Sequence, residues 1–137
     1  MSLEKSKHEA ERWLSQARSD LRAAENSLAG GSFDWACFQS QQAGEKALKA
    51  YWYHHGKDPW GHSLLRLVQD YPGGAERTAI ESLRAHASAL DKLYIPTRYP
   101  NGLPDLTPAE VFGESDARQA IDAAREVIDA VARRIEE

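Results

Sequence analysis

The sequence predicts an all-α protein, a five-helix up-and-down bundle in a single domain spanning residues 1–137. Three observations predict it. Apolar residues recur at steps of three and four through each long segment, and no strand pattern survives beside them. Proline and paired glycine fall between those segments, where they punctuate the chain. The length of 137 residues and the apolar fraction of 42% suit one ordinary hydrophobic core. No internal repeat, low-complexity tract or linker divides the chain.

The first helix is expected over Leu3–Leu28. Its stripe is Trp13, Ala17, Leu21, Ala24 and Leu28, with Arg12, Arg18, Asp20 and Glu25 turned outward. Gly30-Gly31 ends it. The second helix starts near Ser32 or Asp34, either of which can cap it, and runs to about His55 before Gly56. It is apolar on several sides, with Trp35, Phe38, Leu48, Tyr51 and Trp52 around it, which makes it central to the domain. Ala36, Ala43, Ala47 and Ala50 form a stripe of small residues that lets another helix come close. Gln41 and Glu45 lie four apart in line with Phe38, Leu48 and Trp52. A carboxylate on such a face must be paired or must face a wet cleft, since burying it alone is costly.

Pro59-Trp60-Gly61 is a tight connection to a short third helix, His62 to about Asp70. Pro72-Gly73-Gly74 breaks the chain again, and a fourth helix is expected over Ala75–Lys92, its face formed by Ile80, Leu83, Ala87, Leu90 and Tyr94. Residues 93–114 form a long loop with four prolines. Within it Thr107-Pro108-Ala109-Glu110 reads as one capped helical turn. The last helix begins after Ser115, with Ala117, Ile121, Ala124, Ile128, Val131 and Ile135 in the regular spacing of a long antiparallel neighbour.

Composition narrows the function. The formal charge of −4 provides no global basic field, so any nucleic-acid contact must use a local patch. The single cysteine, Cys37, excludes an intrachain disulfide and sits among apolar residues as an inert thiol. No segment has the apolar length of a membrane span, and the polar N-terminus has no signal core, so the expected location is cytoplasmic. His54 and His55 are adjacent and point to different sides of a helix, and His8 and His86 are isolated. No metal site and no cofactor is expected. There is no phosphate-cradling Gly-x(4)-Gly-Lys loop and no Ser-His-Asp or Cys-His pattern.

The residues that stand out lie in Leu93-Tyr94-Ile95-Pro96-Thr97-Arg98-Tyr99-Pro100, read as a stiff, extended segment that presents an arginine between tyrosines. Arg98 is the leading candidate. Held beside two prolines, it loses little freedom on gripping a phosphate with two donors, and Tyr94 and Tyr99 can stack on a base. The alternative is a staple, in which Arg98 pairs with Glu45 or Asp91. His62 is a candidate proton-transfer or phosphate-binding group meeting Arg98 in space; its alternative is a helix cap. Glu45 and Lys49 form an i, i+4 pair, either on the helix surface or on the side of a cleft. The candidate ligand-binding set is Arg98, Tyr94, Tyr99, Glu45, Lys49, Asp91 and His62. Tyr51, Trp52, Tyr53 and Trp60 read as core or dimer packing. Because Trp35, Phe38, Tyr51, Trp52 and Tyr53 cannot all face one core, a homodimer is expected.

Gln41-Gln42-Ala43-Gly44-Glu45-Lys46-Ala47-Leu48-Lys49-Ala50, then Gly61-His62-Ser63-Leu64-Leu65, then Tyr94 to Pro100, resembles the HEPN family over roughly Ala10 to Val131. The resemblance implies the helical bundle and its topology. It also implies a role as the partner of a small nucleotidyltransferase in a toxin–antitoxin-like gene pair, with a cleft that handles a nucleotide or RNA phosphate. The nuclease branch of the family carries Arg-x(4–6)-His, and no arginine here has a histidine at that spacing. The alternatives are a metal-independent RNase with a rearranged Arg98 and His62 site, and a non-catalytic interaction module.

Overall fold

A computed structural model describes residues 2–136. Helix α1 covers Leu3–Ala29, and its N-cap Ser2 accepts from the Lys5 amide through Oγ at 3.2 Å. Helix α2 covers Phe33–His54, α3 Leu64–Gln69, α4 Gly74–Ile80 and α5 Arg84–Asp91. A short α6, Pro108–Val111, precedes the long α7, Glu114–Ile135. No strand occurs among the described residues.

The buried side of α1 is Ser6, Ala10, Leu14, Ala17, Leu21 and Ala24, centred one residue along from the expected stripe. Trp13 lies at its edge, packed on Tyr53 at 5.6 Å between centroids. Its indole N–H donates to Glu9 Oε1 at 3.1 Å, a bond that full burial in the apolar core would deny it. Leu14, smaller and wholly apolar, takes the interior place.

Helix α2 runs through the middle of the molecule, against α1 on one side and α7 on another. Ala36, Ala43, Ala47 and Ala50 are wholly buried, so small side chains do set these close approaches. Gly44 belongs to the same logic. A Cβ there would lie 2.7 Å from Leu64 Cδ2 and 2.8 Å from Leu90 Cδ1. Helices α3 and α5 therefore rest on α2 at a point where only hydrogen fits.

Helix α3 starts two residues later than expected. Ser63 is its cap, its Oγ accepting from the Arg66 amide at 3.1 Å. The expected fourth helix is interrupted. A 3₁₀ turn at Glu81–Leu83 separates α4 from α5. In such a turn residues three apart eclipse, and the tightening brings both Ile80 and Leu83 into the core before Ala87 and Leu90 continue it. The turn after Thr107 has the expected capping box, with Thr107 Oγ1 accepting from the Glu110 amide. The last helix begins at Glu114, where the Asp116 carboxylate accepts from the Gly113 amide at 2.9 Å. Its buried face includes Ala117, Ile121, Ala124, Ile128 and Val131.

Cys37 is fully buried in this core. Burial, helped by the charges of Asp116 and Asp34, pushes its thiol pKa up to about 12, so it remains protonated and unreactive.

Candidate functional site

The candidate site begins where α5 ends. Residues 93–98 do not form the extended segment expected from the prolines; they coil through successive turns. The reason lies in the carbonyls that a helix end leaves without intrahelical partners. Thr97 Oγ1 donates to the Leu93 carbonyl, and the Arg98 amide donates to the Ile95 carbonyl at 3.1 Å. Arg98 closes the set, donating from Nε at 2.9 Å and from Nη2 at 2.8 Å to the Tyr94 carbonyl. The chain then extends at Tyr99.

These bonds hold the guanidinium in a cage of rings. Its central carbon lies 4.3 Å from the centroid of Phe38, 4.6 Å from Tyr94 and 5.1 Å from Tyr99. The staple to Glu45 or Asp91 considered from sequence is absent: Arg98 pairs with no carboxylate among the described residues. Among the described residues, its Nη1 group and one Nη2 hydrogen have no acceptor. The cation is fixed in place and not neutralised.

His62 lies on the other side of this assembly. Its ring stacks on Tyr94 with centroids 5.0 Å apart and planes 17° apart. Arg98 and His62 thus share one tyrosine ring, each within 5.0 Å of its centroid. His62 is not the cap of α3. Its Nδ1 is 3.4 Å from Glu45 Oε2, and its side chain is 60% exposed.

Glu45 is only 3% exposed and is surrounded by donors. Gln41 Nε2 donates to its Oε1 at 3.2 Å, and Lys49 Nζ to its Oε2 at 3.1 Å. The Glu45–Lys49 pair is therefore a buried one, with the ammonium also 5.6 Å from the Trp13 ring. Gln41, itself fully buried, donates to the His62 carbonyl at 3.2 Å as well. It positions both the carboxylate and the histidine backbone.

Asp91 serves a different end. Its carboxylate accepts from Ser63 Oγ at 2.6 Å and from the amides of Leu64 and Leu65 at 2.6 and 3.0 Å. It ties the end of α5 to the start of α3. The structure thus brings Arg98, Tyr94, Tyr99, His62 and Glu45 into one continuous cluster, with Lys49 behind it in the interior. Two members were outside the candidate set read from sequence, Phe38 and Gln41, although the sequence places both on the same helix face as Glu45. Their signal was positional, since both lie on the α2 face that carries Glu45.

The profile described as "HEPN domain" matches residues 10–135. The chain belongs to the HEPN family. Several solved HEPN-like structures share its fold. The crystal structure of TT1696 from Thermus thermophilus is 41% identical, with a TM-score of 0.82 over 90% of this chain and 96% of that one. A crystal structure described as an archaeal HEPN homologue is 34% identical, with a TM-score of 0.76 over 92% and 97% of the two chains. An HEPN domain protein of Thermotoga maritima is 27% identical, with a TM-score of 0.67 over 92% and 98%. Human sacsin is 33% identical over 100 residues, which span 70% of this chain and 2% of sacsin. No helix among the described residues is long and apolar enough to cross a membrane.

Proposed function

We propose that this HEPN protein binds the phosphate of a nucleotide or of RNA at Arg98, and does so as the homodimeric partner of a small nucleotidyltransferase in a toxin–antitoxin-like gene pair. The observation that carries the phosphate reading is the un-neutralised guanidinium. Its unused donors form a fork suited to two phosphate oxygens. Three rings and one carbonyl hold it in place, so little freedom is lost on binding. Tyr99, half exposed, supplies a face for a base.

The partnership rests on family kinship and is tested by gene neighbourhood and co-purification. An adjacent minimal nucleotidyltransferase frame supports it. A solitary gene favours a stand-alone binding module.

Removing the fork tests the phosphate reading. Arg98→Ala is expected to weaken nucleotide or RNA binding by about 1.5–3 kcal/mol, the worth of a charge-assisted contact. Calorimetric titration measures it. The melting temperature should fall less, since the lost internal bonds are a surface turn's. Unchanged affinity together with a large drop in melting temperature would make Arg98 a staple of the loop only.

One observation favours a second, catalytic reading. His62 has a carboxylate at Nδ1 and an exposed ring, the arrangement of an oriented general base or acid. In that reading the ribose 2′ oxygen bonds to phosphorus as the bond to the 5′ oxygen breaks. His62 takes the proton from the 2′ hydroxyl and delivers it to the departing 5′ oxygen, and Arg98 stabilises the phosphate charge. RNA cleavage abolished by His62→Ala, with binding retained, would establish it.

A further inference from the structure

Beyond His62, away from the Arg98 cage, lies a small cleft of about 120 Å³. Trp52, Trp60, Gly61, His62, Ser63, Arg66, Leu67 and Asp70 line it, so His62 is shared with the cluster described above. Trp60 is 83% exposed, the most exposed large apolar residue among the described residues. Such exposure is unusual for a tryptophan, and among the described residues neither core packing nor a hydrogen bond accounts for it. Trp52, which also lines the cleft, is nearly buried and fixed by its own N–H bond to the Leu67 carbonyl at 2.9 Å. At the rim the Arg66 guanidinium lies 3.1 Å from Asp70, both side chains largely exposed, so a donor and an acceptor stand together there. The first amides of α3 are already taken by Asp91, so the attraction of this cleft for a ligand comes from its ring surface and its rim.

We infer that the cleft is a nucleobase subsite, and that the ligand is an oligonucleotide of at least two residues and not a mononucleotide. The inference rests on the reading of Arg98 as the phosphate-binding group. One phosphate sits at the Arg98 fork beside His62. The base on one side of it lies on Tyr99, and the base on the other stacks on Trp60 over the cleft. The space equals that of several water molecules, suited to a flat ring entering edge-first. A tryptophan face accepts any base, while Arg66 and Asp70 offer hydrogen bonds to its edge. The single Tyr94 ring that contacts both Arg98 and His62 sets the short separation between the phosphate site and the cleft.

Two probes on the full chain test this: a 5′-phosphorylated dinucleotide and the corresponding mononucleotide, titrated by calorimetry at one salt concentration. Wild type should hold the dinucleotide more tightly. Trp60→Ala should weaken the dinucleotide about fivefold or more and leave the mononucleotide unchanged, and Trp60→Phe should restore most of the loss. Because Trp60 buries almost nothing, its removal leaves the fold intact, as an unchanged melting curve will show. Equal dinucleotide affinity in wild type and Trp60→Ala overturns the subsite. The result for Arg98→Ala is separate. If that variant binds both probes as wild type does, the phosphate reading fails, whatever happens at Trp60. If neither probe binds the wild type, both fail.

Discussion

Tyr71 is 2% exposed, and its hydroxyl is a buried side-chain polar atom with no hydrogen-bond partner in the structure. The rings of Tyr51 and Trp52 enclose it at 5.5 and 5.2 Å. Burial pushes its pKa well above the ordinary phenol range, so the group stays protonated and its donor goes unused. An orphaned polar atom costs stability that its removal recovers. Tyr71→Phe is therefore expected to stabilise the protein by about 1 kcal/mol, read as a raised urea midpoint with an unchanged slope. A lowered midpoint would show that the hydroxyl makes a favourable contact and would reject this reading. At this scale, sequence grouped Arg98 with Tyr94, Tyr99, His62 and Glu45, but neither the acceptor of its donors nor the Phe38 ring beside it was legible. The Arg98 bonds to the Tyr94 carbonyl and its contact with the Phe38 ring depend on how a turn folds, and no spacing encodes that.

The same contrast holds for whole elements. Helices α1, α2 and α7 were legible to within a residue or two, because α1 and α7 carry long apolar periods and glycines stop α1 and α2. The break between α4 and α5 was not, since Ile80, Leu83, Ala87 and Leu90 keep helical spacing across it. A 3₁₀ turn preserves steps of three, and a period alone cannot distinguish the two. Gly44 escaped notice for the opposite reason. Within a good helical sequence it looks like a mild weakness, whereas its role lies in helices α3 and α5 above it. Gly44→Val should drive Leu64 and Leu90 out of fully buried positions and lower stability by about 1–3 kcal/mol. Thermal and urea unfolding check this. An undiminished midpoint would mean that α3 and α5 shift off α2 without loss.

For the molecule as a whole, the aromatic surplus that led to the expectation of a homodimer narrows to one residue. Of the five aromatics that could not share one core, Tyr51 and Trp52 are buried and Phe38 and Tyr53 half-buried. Trp35 remains 50% exposed, with its edge against Phe38 at 6.1 Å. Light scattering at tens of micromolar should give twice the chain mass of 15.3 kDa, and Trp35→Ala should shift it toward the monomer. A wild-type particle of monomer mass would reject the dimer. The fold class was readable because a bundle is a sum of local periods. The candidate cluster was readable only in part, because α2, the segment before α3 and the turn after α5 converge from three places in the chain. That convergence also bears on kinetics. The turn at 93–98 is sewn by its own side chains to its own carbonyls, and Glu45 holds His62 from beneath. An arriving anion would meet a guanidinium already in position, with no segment to order first. The speed of capture would then follow diffusion and charge, and differences in affinity between ligands would appear as differences in how slowly each one leaves.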